Sequence, residues 1–490
     1  MRYIVVLFCF FAVITGLTLG GCKKDELDTD SKTKLSFSAD TVYFDTIFVT
    51  LGSITRRFRV YNNSDKRVKV SDIRLAGGSA SPFRLNIDGM PVNQTSDLEI
   101  DAKDSIYIFA EVTIDPNSAL LPFVIADSIL FTTNGNQQNV KLVAYGQNAD
   151  FYRPDVFLGN GFPPISVVNC DTTWTNDLPK VIIGYLAVDS GCTLTIEAGT
   201  KIHLYNNSGI WVYKGGTLIV NGTKEDSVIF QGVREEDAYK EIPGQWDRIW
   251  INQGSTGNLI NYAVIKNGNI GIQAENVTEL GTDMPQKLLK LQNTRIRNMK
   301  AFGIYGVNYN IDAFNTILSN CGSYGMALIQ GGSYRFRHTT VANYWSGSVR
   351  TEPCLFISNY KLEANSNAVV DNMNFSFSNG IIYGNKQDDS EFDFDKQDGA
   401  DLNWKFTNTV LKVDDPDVDV NDATHFRNMK INQEPAFADA NDQNYKLKAE
   451  SSAIGAASAD TTNASPAISA DIFGVNWSAP PAAGAIEFVP

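Results

Sequence analysis

Five side chains in one stretch are of the types that move protons and balance charge: Lys290, Asp312, Arg335, Arg337 and His338. Lysine or histidine can take a proton as a general base, and arginine offsets charge that develops in a transition state. Lys290, Asp312 and Arg335 each stand eight residues before an asparagine, at Asn298, Asn320 and Asn343. Any repeat that superposes those asparagines therefore stacks the three side chains in consecutive copies. The preferred reading is a salt-bridge column on a solvated face, where exposed ion pairs contribute only about 0–1 kcal/mol each. His338 then replaces the asparagines of its own column, Asn293 and Asn315.

A second cluster is acidic. Asp393 and Asp395, or Asp414, Asp415, Asp417 and Asp419, offer the hard oxygen ligands that suit calcium. Residues 388–422 hold twelve acidic and three basic residues, a local charge of −9 against −14 for the whole chain. The ordered D-x-D-x-D-G calcium loop is missing, so a solvated insertion is preferred and no metal or other cofactor is assigned. His203 and His425 lack Cys or His neighbours at metal-ligand spacing. Serine triads, phosphate loops and dinucleotide motifs are absent from the sequence. The repeats carry a single carboxylate, Asp312, whereas a glycoside hydrolase needs two flanking one bond.

The elements that must position these groups come from a repeat in residues 259–345. YAVIKN, NTRIRN, NTILSN and HTTVAN end at Asn267, Asn298, Asn320 and Asn343, spaced 31, 22 and 23 residues apart, with a degenerate copy ending at Asn385. A period near 22 predicts stacked coils of a solenoid. Ile265, Ile296, Leu318 and Val341 form a column expected to face the interior, with Ala263, Thr294, Thr316 and Thr339 as small neighbours. The closing asparagines are expected to form an amide ladder, because asparagine tolerates left-handed turn geometry and satisfies turn backbone. Gly271, Gly303, Gly325 and Gly347 are expected at the next corner. Trp246, Trp250, Tyr334, Tyr344 and Trp345 offer flat faces to sugar rings, although packing at coil corners is the preferred use.

Residues 1–21 combine Arg2 with an apolar run and read as a signal peptide. They end in Leu19-Gly20-Gly21-Cys22, which resembles the bacterial lipoprotein signal and implies lipidation of Cys22. Lys23-Lys24-Asp25-Glu26 resembles the export tag of Bacteroidota surface lipoproteins, so the expected address is the outer membrane, lipid-anchored and facing the cell exterior. In that oxidising setting Cys170 and Cys192, one coil period apart, are expected to form a disulfide. Cys321 and Cys354 are expected as buried free thiols. The acidic balance argues against nucleic acid as a partner.

Residues 22–34 read as a tether. Residues 35–147 hold about seven short alternating strands and predict an immunoglobulin-like β-sandwich. Phe58 to Asn63 (FRVYNN), Asp127 to Asn134 (DSILFTTN) and Val140 to Gly146 (VKLVAYG) resemble the Hydin-type immunoglobulin-like family, whose modules serve as spacers or protein-interaction units. Residues 148–178 read as linker and cap, 179–430 as the solenoid and 431–490 as a closing segment that caps the last coil. LTIEAGT at 194–200, WVYKGGTL at 211–218 and QWDRIWI at 245–251 resemble right-handed parallel β-helix proteins of the pectin-lyase-like superfamily. The fold class is therefore all-β: a sandwich followed by a right-handed parallel β-helix.

That superfamily includes lyases and hydrolases of acidic polysaccharides and many non-catalytic proteins, and fold alone does not choose among them. The leading expectation is a monomeric, non-catalytic polysaccharide-binding protein whose partners are a glycan and, through its lipid, a membrane. The runner-up is a calcium-assisted lyase of uronate glycans using the Lys290 set. A third reading is an adhesin or scaffold for a partner protein.

Overall fold

The computed structural model describes residues 26–117, 122–159, 161–276, 288–363, 367–386, 390–416 and 418–490. The expected signal peptide, Cys22 and Asp417 lie outside them. The chain forms two compact units, residues 1–148 and 149–490. Among the described residues no helix is long and apolar enough to cross a membrane.

The first unit pairs two sheets. One contains Thr41–Phe48, Arg67–Leu75, Gln94–Ile100, Phe123–Thr133 and Asn136–Gln147; the other contains Ser36–Phe37, Arg56–Tyr61, Phe83–Ile87 and Ser105–Val112. Period-two alternation builds the core: Ile106, Ile108, Ala110 and Val112 point inward from one strand, opposite Phe58 and Val60 from its neighbour. The longest hairpin turns at Asn134-Gly135, both with positive φ, the dipeptide that the right-handed strand twist favours in a two-residue turn. Part of the expected tether belongs to this unit, because Leu27–Asp28 pairs with Arg67–Val68. An apolar Leu27 beside an unpaired strand edge finds backbone partners that a free tether would leave to water.

The second unit is a parallel β-helix with three sheets, each receiving one strand per coil. The first sheet runs through the register Ala187, Trp211, Trp250, Gln273, Tyr305, Ala327, Phe356 and Asp393. The second carries Lys290, Asp312, Arg335, Ser376 and Lys405 in one outward column. The third stacks Ile265, Ile296, Leu318, Val341 and Ile382, all fully buried. A parallel stack places like positions about 4.8 Å apart, so one apolar column per sheet fills the interior. Cys170 and Cys192 are joined by a disulfide with Cα atoms 4.8 Å apart, the step between two coils. Cys321 and Cys354 are buried and free.

Two asparagine ladders occupy the corners. Asn293 donates to Asn261 and Asn315 to Asn293, each at 2.9 Å, between the second and third sheets. Asn320 donates to Asn298 at 2.6 Å and Asn298 to Asn267 at 3.4 Å, between the third and first. The rungs Asn267, Asn298 and Asn320 have positive φ, but Asn343 does not continue the ladder. It bridges the backbone N–H and carbonyl of Cys321 at 2.8 and 2.9 Å instead. The corner glycines serve close approach: a Cβ on Gly303 would lie 2.6 Å from the Gly325 carbonyl oxygen. Gly347 is not in that stack and meets the Trp345 ring.

Residues 431–490 do not simply cap the last coil. They run along the outer face of the third sheet, where Ile317, Ala342, Ile381 and Val410 meet Phe437, Tyr445, Leu447, Ile472 and Ile486. From Ile317 to Val410 that face is apolar outside as well as inside, so those coils require cover, whereas the polar second sheet does not.

Candidate functional site

The outer face of the first sheet gathers a cluster of aromatics. Ile210-Trp211-Val212 and Ile249-Trp250-Ile251 occupy successive coils, and in each the aliphatic pair points inward while the tryptophan points out. The two indoles stack with centroids 5.2 Å apart and 12° between planes. Phe162 extends the stack, 6.2 Å from Trp211 at 13°, and Tyr213 meets Trp211 edge-on at 5.2 Å. Together with Leu158, Asn252 and Lys214 these rings line a cleft of about 520 Å³. Phe162 is 50% exposed and Tyr213 42%, whereas Trp211, held between Phe162 and Trp250, is only 6% exposed, so the open part of the wall is its rim.

A hydrogen-bonded polar strip continues the wall. Trp211 Nε1 donates to Asn252 Oδ1, whose own amide donates to Glu275 at 3.2 Å. Trp250 Nε1 donates to the same Glu275 oxygen at 2.7 Å, and Gln273 donates to the other at 2.8 Å. Arg248 reaches Gln273 and grips Asp247 with two bonds of 3.0 Å. Tyr185 donates to Asp247; burial and that carboxylate push its phenol far above the usual value, so it remains a donor. Locked indoles with both N–H groups satisfied are rigid platforms, and little entropy is lost when a ligand stacks on them. Farther along the same sheet, Tyr305, Phe302, Tyr324 and Phe356 form a chain with centroid distances of 5.1, 5.6 and 5.9 Å.

The candidate catalytic residues divide. Lys290, Asp312 and Arg335 are in register on the second sheet, and Arg335 holds Asp312 through two bonds of 2.8 and 2.6 Å. Arg337 and His338 lie beneath the C-terminal segment. Arg337, 2% exposed, donates to the carbonyls of Ala464 at 2.8 Å and Thr461 at 3.4 Å. His338 is fully buried against Trp477, with ring centroids 3.9 Å apart. Burial lowers its pKa to about 3, so it is neutral and unavailable as an acid at neutral pH. The column therefore does not converge with these two groups into a single basic site.

Among the described residues no group of three His, Cys, Asp or Glu side chains is placed to hold a metal ion. Asp393, Asp395, Asp414, Asp415 and Asp419 do not assemble into the calcium site weighed from the sequence, and Asp417 lies outside the described residues. Burial, with Asp415 and Asp395 nearby, raises the Asp393 carboxyl pKa. Asp395 instead accepts the Tyr360 hydroxyl at 2.6 Å.

Of the five aromatics singled out by sequence, only Trp250 belongs to the cleft. Trp246 and Tyr334 are buried in the core, Tyr344 packs on Phe437, and Trp345 bonds Ser348. Trp211, Tyr213 and Phe162 were the missed members. The matching aliphatic-Trp-aliphatic triplets at 210–212 and 249–251 were the available signal, since alternation in a strand puts both tryptophans on the outer face.

Residues 183–343 match the family described as the right handed beta helix region. No curated protein matches significantly. Solved structures similar to parts of the chain include a family 123 glycoside hydrolase from Clostridium perfringens at 10% identity, covering 24% of this chain and 30% of that one with a TM-score of 0.18. PapD-like domain 7 of human CEP192 is 9% identical over 25% of this chain and 90% of its own, TM-score 0.18. The E. coli chaperone DraB is 10% identical over 25% and 56%, TM-score 0.17. The chain thus spans less than two thirds of the hydrolase and of DraB, and likeness at this level says nothing about activity.

Proposed function

We propose that this chain is a lipid-anchored cell-surface protein whose β-helix binds polysaccharide without cleaving it, through the cleft on its first sheet. The observation that carries the reading is the cleft in which exposed Phe162 and Tyr213 and half-buried Trp250 surround the buried Trp211, bordered by the Asn252, Gln273 and Glu275 strip. Flat rings receive the C–H faces of sugars, while amides and carboxylates in fixed positions exchange hydrogen bonds with hydroxyls. Non-catalytic binding is favoured over a uronate lyase because Arg337 and His338 are sequestered and Asp312 already engages Arg335.

Glycan-array screening followed by calorimetry tests the reading. Trp250→Ala is expected to weaken the glycan found by about tenfold or more, with an unchanged circular dichroism spectrum. Equal affinity in the variant would remove the cleft from consideration. Release of unsaturated products from uronate polysaccharides would favour the lyase. For the anchor, Cys22→Ser is expected to move the protein from the membrane to the soluble fraction, and continued membrane association would reject lipidation.

A further inference from the structure

A second concavity, of about 390 Å³, lies between the third sheet and the C-terminal segment, and its chemistry differs from that of the aromatic cleft. The outward column there reads Val264, Arg295, Ile317, Thr340 and Ile381. Arg295 is the charged member of an otherwise apolar and hydroxyl column. Among the described residues its guanidinium makes no hydrogen bond or ion pair, although it borders the cavity. Desolvation, with Arg297 beside it, lowers its pKa. Arg295 is exposed at the mouth of the cavity, so its five N–H donors are met by water and are free to exchange it for an anion.

The neighbours agree in sign. Lys446 lines the same cavity. The acidic group Glu241 is already occupied, by Arg297 through Nη1 and Nη2 and by Lys266 at 3.3 Å. Asp442 is the other carboxylate in the lining, so Arg295, Arg297 and Lys446 exceed Glu241 and Asp442 by one positive charge, in a chain whose net charge is −14. Tyr445 is 5% exposed, and its hydroxyl has no hydrogen-bond partner in good geometry. It therefore supplies a buried polar atom near Ser319 and Arg297 in the cavity lining.

We propose that this pocket binds an oxyanion carried on a sugar, a uronate carboxylate or a sulfate ester, with Arg295 as the bidentate donor and Lys446 and Tyr445 as supporting donors. A planar guanidinium matches the two oxygens of either group, and charge-assisted bonds of this kind are the stronger ones. The site lies on a different sheet from the aromatic cleft and stands or falls separately.

Calorimetric titration of the full mature protein with glucuronate, glucose 6-sulfate and glucose tests the assignment. One or both anionic sugars are expected to bind saturably and glucose not, with the better anion distinguishing carboxylate from sulfate. Arg295→Gln is expected to weaken binding by about tenfold or more, Lys446→Gln to weaken it less, and Lys405→Gln, an exposed change on the second sheet, to leave it unchanged. Lys446 is exposed, so its variant keeps the test open if the arginine variant misfolds. Equal binding of glucose, no saturable binding of either anion, or wild-type affinity in both folded variants would overturn the proposal.

Discussion

The side-chain amide nitrogen of Asn379 lies 3.0 Å from Nε2 of His338, in a corner column that reads asparagine in the coils carrying Asn293 and Asn315. Nδ1 of the same ring stands 3.2 Å from the Gly484 carbonyl oxygen. A carbonyl on one side and an amide donor on the other fit the neutral tautomer with its proton on Nδ1. The imidazole thus takes the place of a ladder carbonyl towards Asn379 but donates to Gly484 and not to the rung below, whose Asn315 Oδ1 is left without a partner. The His338 φ of 46° is close to the 48° of Asn293 and Asn315.

Acid sensitivity follows from that ring. Its pKa falls from an ordinary 6.5 to about 3 in the fold, chiefly through burial. Below about pH 6.5 the unfolded chain takes up a proton that the folded chain refuses, so stability declines as pH falls towards 3. The slope is about 1.4 kcal/mol per pH unit. His338→Asn restores the ladder residue and is expected to fold, with a shallower loss between pH 6 and 4. Urea midpoints at several pH values measure this, and an unchanged slope would reject it. Buried His203 also has a lowered pKa and leaves some acid sensitivity in the variant.

The Asp312–Arg335 pair is expected to be nearly neutral in energy. The Arg335 side chain is 44% exposed, and solvent screens its charge. Arg335→Gln and Asp312→Asn should each shift unfolding free energy by no more than about 1 kcal/mol. They should also leave glycan affinity unaltered. A tenfold loss of binding in either would place function on the second sheet.

Glu391 behaves differently because it is fully buried. It accepts from Arg350 at 2.6 and 2.9 Å, and from the backbone N–H groups of Cys354 and Lys386 at 3.0 and 3.1 Å. Glu391→Gln leaves Arg350 as an uncompensated buried charge and is expected to cost about 3–5 kcal/mol in chemical denaturation. Pairing it with Arg350→Met should recover part of that loss. Failure to recover any would show that the backbone bonds, rather than the charge, dominate.

Phe437 fastens the C-terminal segment to the third sheet, edge-on to Tyr445 at 5.2 Å and to Tyr344 at 6.2 Å. Phe437→Ala is expected to cost about 3–5 kcal/mol. Faster limited proteolysis within residues 432–490 would accompany it. Cleavage at the wild-type rate would mean that the remaining contacts hold the segment without this ring.

Much of the β-helix was legible because parallel stacking forces like positions into one column, and a column leaves a period in the chain. Ile265, Ile296, Leu318 and Val341 announce the interior, and Lys290, Asp312 and Arg335 announce a solvated face. The Asn343 departure was not legible, since it depends on where the Cys321 backbone falls. Nor was the aromatic cleft fully so: Phe162 comes from a segment with no repeat and joins Trp211 only through folding.

Sequence alone determined the two-part all-β architecture, the coil spacing and the stacking of its columns, because each rests on short-range alternation or a fixed period. Only the tertiary structure decided which faces remain open. Arg337 contacts Ala464 across 127 positions, and His338 meets Gly484 across 146. No local pattern encodes such distant contacts. They arise because the apolar part of the third sheet's outer face must be covered, and the segment that covers it withdraws these two residues from solvent while Phe162 and Tyr213 of the aromatic cleft stay exposed.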